Sequence, residues 1–208
     1  MPLTFADIET ALAHAPLDVR SDFDLNPEAR AELVSGSCER PAAVLCGLVE
    51  RRGLLHVVLT RRTDTLPSHA GQISFPGGKV DAGDASPRAA ALREADEEIG
   101  LTAPEVDILG RLDTYRTRSG FRILPFVGRV APTWRPIPHP GEVEEVFEVP
   151  LDFLMDRANH AEDHYDRDGE RRRYHAMPWG DYYIWGATAG MLRNLSDRLE
   201  AVAAERAL

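Results

Sequence analysis

Three glutamates, Glu94, Glu97 and Glu98, stand at relative spacings of i, i+3 and i+4 in the run RAAALREADEEIGL. On a helix that spacing puts three carboxylates on one face. Like charges so placed repel by roughly a few tenths of a kcal/mol per pair, and a divalent cation reverses the sign of that term. Hard cations take oxygen ligands, usually one or two carboxylates completed by waters and substrate phosphates. A solvated acidic face on an acidic protein would show the same three residues. The glycine-bearing segment just upstream, GQISFPGGK from Gly71, favours the cation reading. Glycines ahead of a helix N-terminus suit close approach of backbone to an anion.

The helix that must carry these carboxylates has well-marked limits. Ser86 can cap its first free amides, and Pro87 has the φ suited to the first helical position. Gly100 supplies a left-handed residue to end it. Leu92, Ala95 and Ile99 fall on the side opposite the carboxylates and should pack into a core. Ala90 and Ala91 border the acidic face, and their small size is expected to leave room above it.

The chain of 208 residues fits one globular unit with an added arm. The division expected is an N-terminal helical arm over 1–35, packed on a body over 36–208. Hydrophobic residues at 43% and charged residues at 28% are ordinary for a folded domain. A formal net charge of −10 argues against nucleic-acid binding, which favours a basic surface. It also means that a polyanionic substrate must be drawn by local basic residues or by a bound cation. Two cysteines, Cys38 and Cys46, make no disulfide framework. The N-terminal run MPLTFADIETALAHAP lacks a charged-then-apolar leader pattern, and no apolar run reaches membrane-spanning length. No membrane partner and a cytoplasmic location are the expectations.

In chain order, Thr4 to Ala13 reads as an amphipathic helix, and Pro27 to Leu33 as a second short one. Ala42–Val49 and Leu54–Thr60 are apolar runs joined by Glu50-Arg51-Arg52-Gly53, a hairpin signal. Their near-continuous apolarity suggests strands covered on both faces. Ile73–Phe75, Val106–Leu112, Ile123–Val130 and Glu142–Val149 read as further strands, and Thr133–Gly141 as a Pro-rich loop. The charged run AEDHYDRDGERRRYH suggests an exposed hairpin tip. Tyr182–Trp185 is an aromatic strand, with Tyr183 and Trp185 expected in the core. Ala187–Ala204 is a closing helix that buries Leu192, Leu195, Leu199 and Val202. Strands on both sides of a central helix, with a long helix at the end, predict a mixed sheet between helical layers.

The motif resembles the box of the Nudix hydrolases: Gly, five residues, Glu, seven residues, Arg-Glu-apolar, one residue, Glu-Glu, one residue, Gly, apolar. Here Gly78 opens it and Arg93-Glu94-Ala95-Asp96-Glu97-Glu98-Ile99-Gly100-Leu101 closes it. Asp84 stands where Glu is usual, eight residues rather than seven separate it from Arg93, and Ala95 is smaller than the usual residue. The closing half is intact, so the Glu trio stands while Asp84 loses weight. A Walker-type loop is excluded, because Ile73 stands five before Gly78 and Val80 follows Lys79.

The segment LTRRTDTLPSHAGQISFPGGKVD also looks like the one preceding the box in the coenzyme A diphosphatase branch. Leu59, Thr60, Arg62, Gly71 and Phe75 to Gly78 fit, whereas Pro67 stands where that branch often has Arg. The resemblance implies an α/β/α sandwich and a Mg²⁺- or Mn²⁺-dependent hydrolase of coenzyme A, releasing 3′,5′-ADP and 4′-phosphopantetheine. It implies Glu94 and Glu98 as metal ligands, Glu97 as a third ligand or the general base, and the Gly77 carbonyl as a further ligand. Arg93 would orient a carboxylate by a charge-assisted hydrogen bond. Arg61, Arg62 and Lys79 are the expected phosphate or nucleotide contacts, with plain surface charge as the alternative reading, and Gly78 is expected at the substrate. His69 is expected to fix its loop, and Arg116 and Arg118 are weaker candidates for the 3′-phosphate. Glu142, Glu144 and Glu145 read as a solvated edge. Another nucleoside diphosphate derivative, such as ADP-ribose or NADH, is the alternative substrate. A Nudix fold serving as a ligand sensor is a more distant alternative, which the complete Glu trio disfavours. A homodimer is expected by analogy alone.

Overall fold

The protein is described by a computed structural model over residues 2–28, 39–64, 70–167 and 169–206. The second predicted helix, Pro27 to Leu33, together with Cys38, Pro67 and His69, falls largely or wholly outside those residues. Helix α1 (Phe5–His14) is capped by Thr4, with Asp7 closing the reciprocal hydrogen bond. Strand β1 (Val19–Ser21) follows. Strands β2 (Arg40–Arg51) and β3 (Leu54–Arg62) form the predicted hairpin. Arg52 and Gly53 both have positive φ, 53° and 80°, as a two-residue turn between twisted strands requires.

Strand β4 (Ile73–Ser74) pairs with β3, and β5 (Gly77–Lys79) pairs with β2. Strand β4 falls in the run read as strand at Ile73–Phe75, whereas β5 at Gly77–Lys79 carries no strand signal in sequence. Helix α2 (Pro87–Ile99) has the predicted ends, with Ser86 capping Ala89 N–H and Gly100 at φ 64°. Strands β6 (Val106–Arg111), β7 (Thr114–Arg116) and β8 (Phe121–Val130) come next. Periodicity missed β7, since three residues are too few to show an alternation. Strand β9 (Val143–Pro150) runs into the short helix α3 (Leu151–Met155).

The charged run forms β10 (Ala161–Arg167) and β11 (Glu170–Trp179), which with β12 (Tyr182–Trp185) make a separate antiparallel sheet. It is thus more than a hairpin tip. Tyr183 is 39% exposed and Trp185 only partly buried, so neither is a core residue. Helix α4 (Ala187–Arg206) closes the chain and buries Leu192, Leu195 and Val202, with Leu199 partly buried.

The large sheet has the order β1-β7-β8-β2-β3-β4, with β5 on β2, β6 on β8 and β9 on β3. The pairs β2–β8 and β1–β7 are parallel and the other pairs antiparallel, so the sheet is mixed, as predicted. Successive residues of its central strands point to opposite faces. Leu45, Val49 and Val58 join Ala95, Ile99 and Leu101 beneath α2. Val44, Cys46, Leu48, Val57 and Leu59 pack with Leu192 and Leu195 of α4 on the other face. Burial of both faces explains why β2 and β3 read as unbroken apolar runs. The result is the expected α/β/α sandwich. Among the described residues no helix is long and apolar enough to cross a membrane.

Candidate active site

Small residues bring α2 close to the sheet. Ala90 and Ala91 are fully buried against Ala43, with Val80 and Phe126 beside them. They do not open space above the carboxylates, as expected from sequence; they let the helix settle beside β2 and β5. Both glycines of β5 are required by close packing, Gly77 against the backbone of β2 and Gly78 against α2. A Cβ on Gly77 would meet the Ala43 carbonyl oxygen at 2.5 Å, and one on Gly78 would stand 2.5 Å from the Glu94 carboxylate.

Glu98 is 4% exposed. Its Oε2 accepts the Gly77 N–H at 3.1 Å, and its Oε1 accepts from Arg62 Nη1 at 3.4 Å. Burial pushes the carboxyl up to about 7; the Gly77 N–H and Arg62 oppose this, while the charges of Glu94 and Glu142 add to it. Glu94, one turn earlier, is also raised, chiefly by burial, with Arg93 opposing. Glu97 has a side chain 59% exposed and receives Arg93 Nη1 at 2.9 Å.

Arg93 is the hub of the exposed half of the site. Its Nε and Nη2 donate to Asp84 Oδ1 and Oδ2 at 3.0 and 3.1 Å, and Nη2 also donates to the Lys79 carbonyl at 3.2 Å. Nη2 lies 3.0 Å from Glu94 Oε1. Arg93 thus ties Asp84, Glu94 and Glu97 into one network and remains protonated, its pKa raised first by the Asp84 hydrogen bond. Asp84, discounted because of the extra residue in the motif, is drawn into the site. Its carboxyl is held below the usual range, first by Arg93 and then by the Asp81 N–H. The inserted residue is absorbed in the turn before α2, where Asp84 also accepts the Asp81 N–H at 2.8 Å.

The two arginines of β3 separate. The ladder to β9 shifts register between Arg61 and Arg62, a bulge of the kind that re-aims side chains. Arg62 reaches Glu98, whereas Arg61 Nη2 lies 3.2 Å from Glu144 and 3.5 Å from Glu145. Glu145 in turn accepts the Tyr182 hydroxyl at 2.7 Å. Arg61 is therefore not brought to the Glu cluster, and Glu144 and Glu145 form an ion-paired edge rather than a merely solvated one. Lys79 lies exposed on β5. Arg116 pairs with Glu39 at 2.8 Å, and the backbone N–H of Arg118 donates to Asp22.

Glu142, which sequence reasoning set aside, has its charge close enough to raise both Glu94 and Glu98. The Pro-rich loop brings it there by binding the end of α2. Trp134 Nε1 donates to the Gly100 carbonyl, Ile137 N–H to that of Ile99 and His139 N–H to that of Glu98. Those carbonyls belong to the orphan set at any helix C-terminus. A capping loop of this kind has no periodic signal in sequence.

Among the described residues no three His, Cys, Asp or Glu side chains form a ready metal cage. Glu94 and Glu98 both have proton affinities raised by burial, the charge of Glu94 acts on Glu98, and the pair offers two carboxylate donors. That donor set suits a small hard cation that keeps waters and takes substrate oxygens.

Comparison with known proteins gives the family. The NUDIX domain model matches residues 39–168. The Nudix hydrolase NudL of Citrobacter koseri is 39% identical over 181 residues, covering 86% of this chain and 92% of that protein. Nudix hydrolase 15, mitochondrial, of Arabidopsis thaliana is 37% identical over 160 residues, covering 74% of this chain and 56% of that protein, so the chain spans little more than half its length. The crystal structure of a NUDIX hydrolase from Alicyclobacillus acidocaldarius is similar in fold, with a TM-score of 0.50 at 17% identity over 83% of this chain and 97% of that one. Nudix hydrolases act on phosphorus-containing anhydrides and generally use divalent metal ions. With the matched domain enclosing Gly78 and the whole Arg93–Leu101 motif, the chain belongs to the Nudix hydrolase family.

Proposed function

We propose that the protein hydrolyses the diphosphate linkage of coenzyme A or its derivatives, giving 3′,5′-ADP and 4′-phosphopantetheine or its acyl form. The observation that carries this is the meeting of Arg62, from the coenzyme A-type segment, with Glu98, from the Nudix motif. The same reading assigns the hydrolase unit to residues 36–208 and an N-terminal arm to residues 1–35, although β1 of that arm pairs with β7 as a strand of the large sheet.

When bound, Mg²⁺ or Mn²⁺ supplies the charge that neutralises phosphate oxygens and acidifies the attacking water. Glu94 and Glu98 would hold it, with the Gly77 carbonyl as a further ligand. Gly77 N–H fixes Oε2 of Glu98, and Arg62 Nη1 holds Oε1 by a long contact of 3.4 Å. Arg93 orients Glu94 and Glu97 from one guanidinium. Glu97, the most exposed of the three glutamates, is a third ligand or takes the proton of the attacking water. Gly78 lets the Glu94 carboxylate lie against β5 and belongs with Arg62 and Lys79 to the proposed diphosphate-binding set. A cytoplasmic setting, in which a buried thiol such as Cys46 stays reduced, and a homodimer belong to the same reading.

The test is turnover of coenzyme A, ADP-ribose and NADH, each with Mg²⁺ or Mn²⁺ and product identification. Coenzyme A is expected to have the highest kcat/KM, with no turnover in EDTA. A clear preference for ADP-ribose or NADH overturns the substrate assignment.

A further inference from the structure

We propose that Arg62 is an exchangeable counter-ion: it neutralises Glu98 in the metal-free protein and turns to the substrate diphosphate once a divalent cation occupies Glu94 and Glu98. The inference rests on the metal-site reading above and adds a coupling between metal and substrate that runs through one side chain.

Three observations support an arginine able to move. Its contact with Glu98 is long, 3.4 Å, and engages Nη1 alone rather than the paired donors of a closed fork. Its Nε is buried and has no hydrogen-bond partner. A buried unsatisfied donor is unfavourable and awaits an acceptor. Meanwhile the backbone on both sides is fixed, because Arg62 N–H donates to the Gln72 carbonyl at 3.0 Å and Gly71 N–H to the Arg62 carbonyl at 3.2 Å. The guanidinium can therefore re-aim without a change in the strand.

Glu98 is built to survive the exchange. Its Oε2 stays on the Gly77 N–H whatever Arg62 does. A buried carboxylate needs a positive neighbour, and Arg62 is the cation the structure places on it. Arg61 does not substitute, since it is already paired with Glu144 and Glu145 on the other side of the bulge. Cation and guanidinium thus compete for Glu98, and the loser of that competition is the group best suited to bind a phosphate bidentately.

Competition predicts effects of opposite sign on the two ligands. Mn²⁺ binding to metal-free protein, followed by electron paramagnetic resonance of free Mn²⁺ without substrate, should be tighter in Arg62→Met than in wild type by about 3- to 10-fold, since a competing positive charge is gone. In the same variant the KM for coenzyme A should rise by about 10-fold or more, since a charge-assisted contact is lost. Arg62→Gln should behave alike, which guards against a folding defect in one variant. A purely structural arginine would weaken both ligands together. Unchanged or weaker Mn²⁺ binding in both variants overturns the exchange, as does an unchanged KM. Failure of wild type to bind Mn²⁺ overturns the metal reading and the inference with it, whereas wild-type binding that the variants do not alter overturns the inference alone.

Discussion

At the scale of single residues, Glu98 concentrates the conflict in the site. It lies almost wholly out of water, and its carboxyl is pushed up to about 7 by burial. An unfolded glutamate titrates near 4.5, so between that value and about 7 the metal-free folded state binds the extra proton. Stability contributed by this group therefore falls as pH rises through that window, by roughly 3 kcal/mol in all, and is level above it. Glu98→Gln removes the titration and keeps the size of the side chain. In EDTA the variant should melt at a higher temperature than wild type at pH 8 and close to wild type at pH 5, by scanning calorimetry. Equal melting at both pH values would show that Glu98 is not held in a costly charged form. The same variant should lose nearly all turnover with Mg²⁺, since a principal ligand is gone.

At the scale of elements, the site is a junction of β5, the turn after it, α2 and the loop capping α2. Each is positioned by backbone groups or small residues: Ala90 and Ala91 on the sheet, Gly78 under Glu94, and three loop donors on the last carbonyls of α2. Asp84 is the turn's contribution. It grips Arg93 with both oxygens and so sets where that guanidinium meets Glu94 and Glu97. Asp84→Asn keeps the Asp81 contact and weakens the grip. Turnover should drop about 10- to 100-fold, the usual effect of removing a group that orients ligands, with little change in the circular dichroism spectrum or melting temperature. Wild-type kcat in this variant would return Asp84 to the marginal role suggested by its displaced slot in the motif.

At the scale of the whole molecule, a buried ion pair joins the C-terminal helix, the start of β7 and the N-terminal segment. Arg198 Nη2 lies 2.5 Å from Asp113 Oδ1, and the two side chains are 6% and 5% exposed. Arg198 also donates to the carbonyls of Ala15 and Pro16, and Asn194 donates to the other oxygen of Asp113. Such a pair adds little over an apolar replacement of both members, but removal of one partner strands a buried charge. Arg198→Met should destabilise by about 3–5 kcal/mol in urea unfolding, and adding Asp113→Asn should recover a large part of that loss. Additive losses in the double variant would contradict the pairing.

Much of this was legible in order of residues. Helix α2 was readable to its caps, because Ser86, Pro87 and Gly100 act on the backbone locally. The Glu trio followed from helical spacing, the hairpin β2–β3 from its turn residues, and the two-sided burial from unbroken apolar runs. The family followed from the motif. What needed tertiary structure was whatever depends on contacts across the chain. Local spacing suggested that Ala90 and Ala91 would open space, whereas they seal a helix to a sheet. Adjacent Arg61 and Arg62 look interchangeable in sequence, and a single bulge sends one to Glu144 and the other to Glu98. Asp84 and Glu142 entered the site through a turn and a capping loop, which leave no periodic trace. Spacing along one helix determined that three carboxylates share a side; only packing determined that Glu98 is buried and Glu97 exposed, because desolvation belongs to the surroundings and not to the residue.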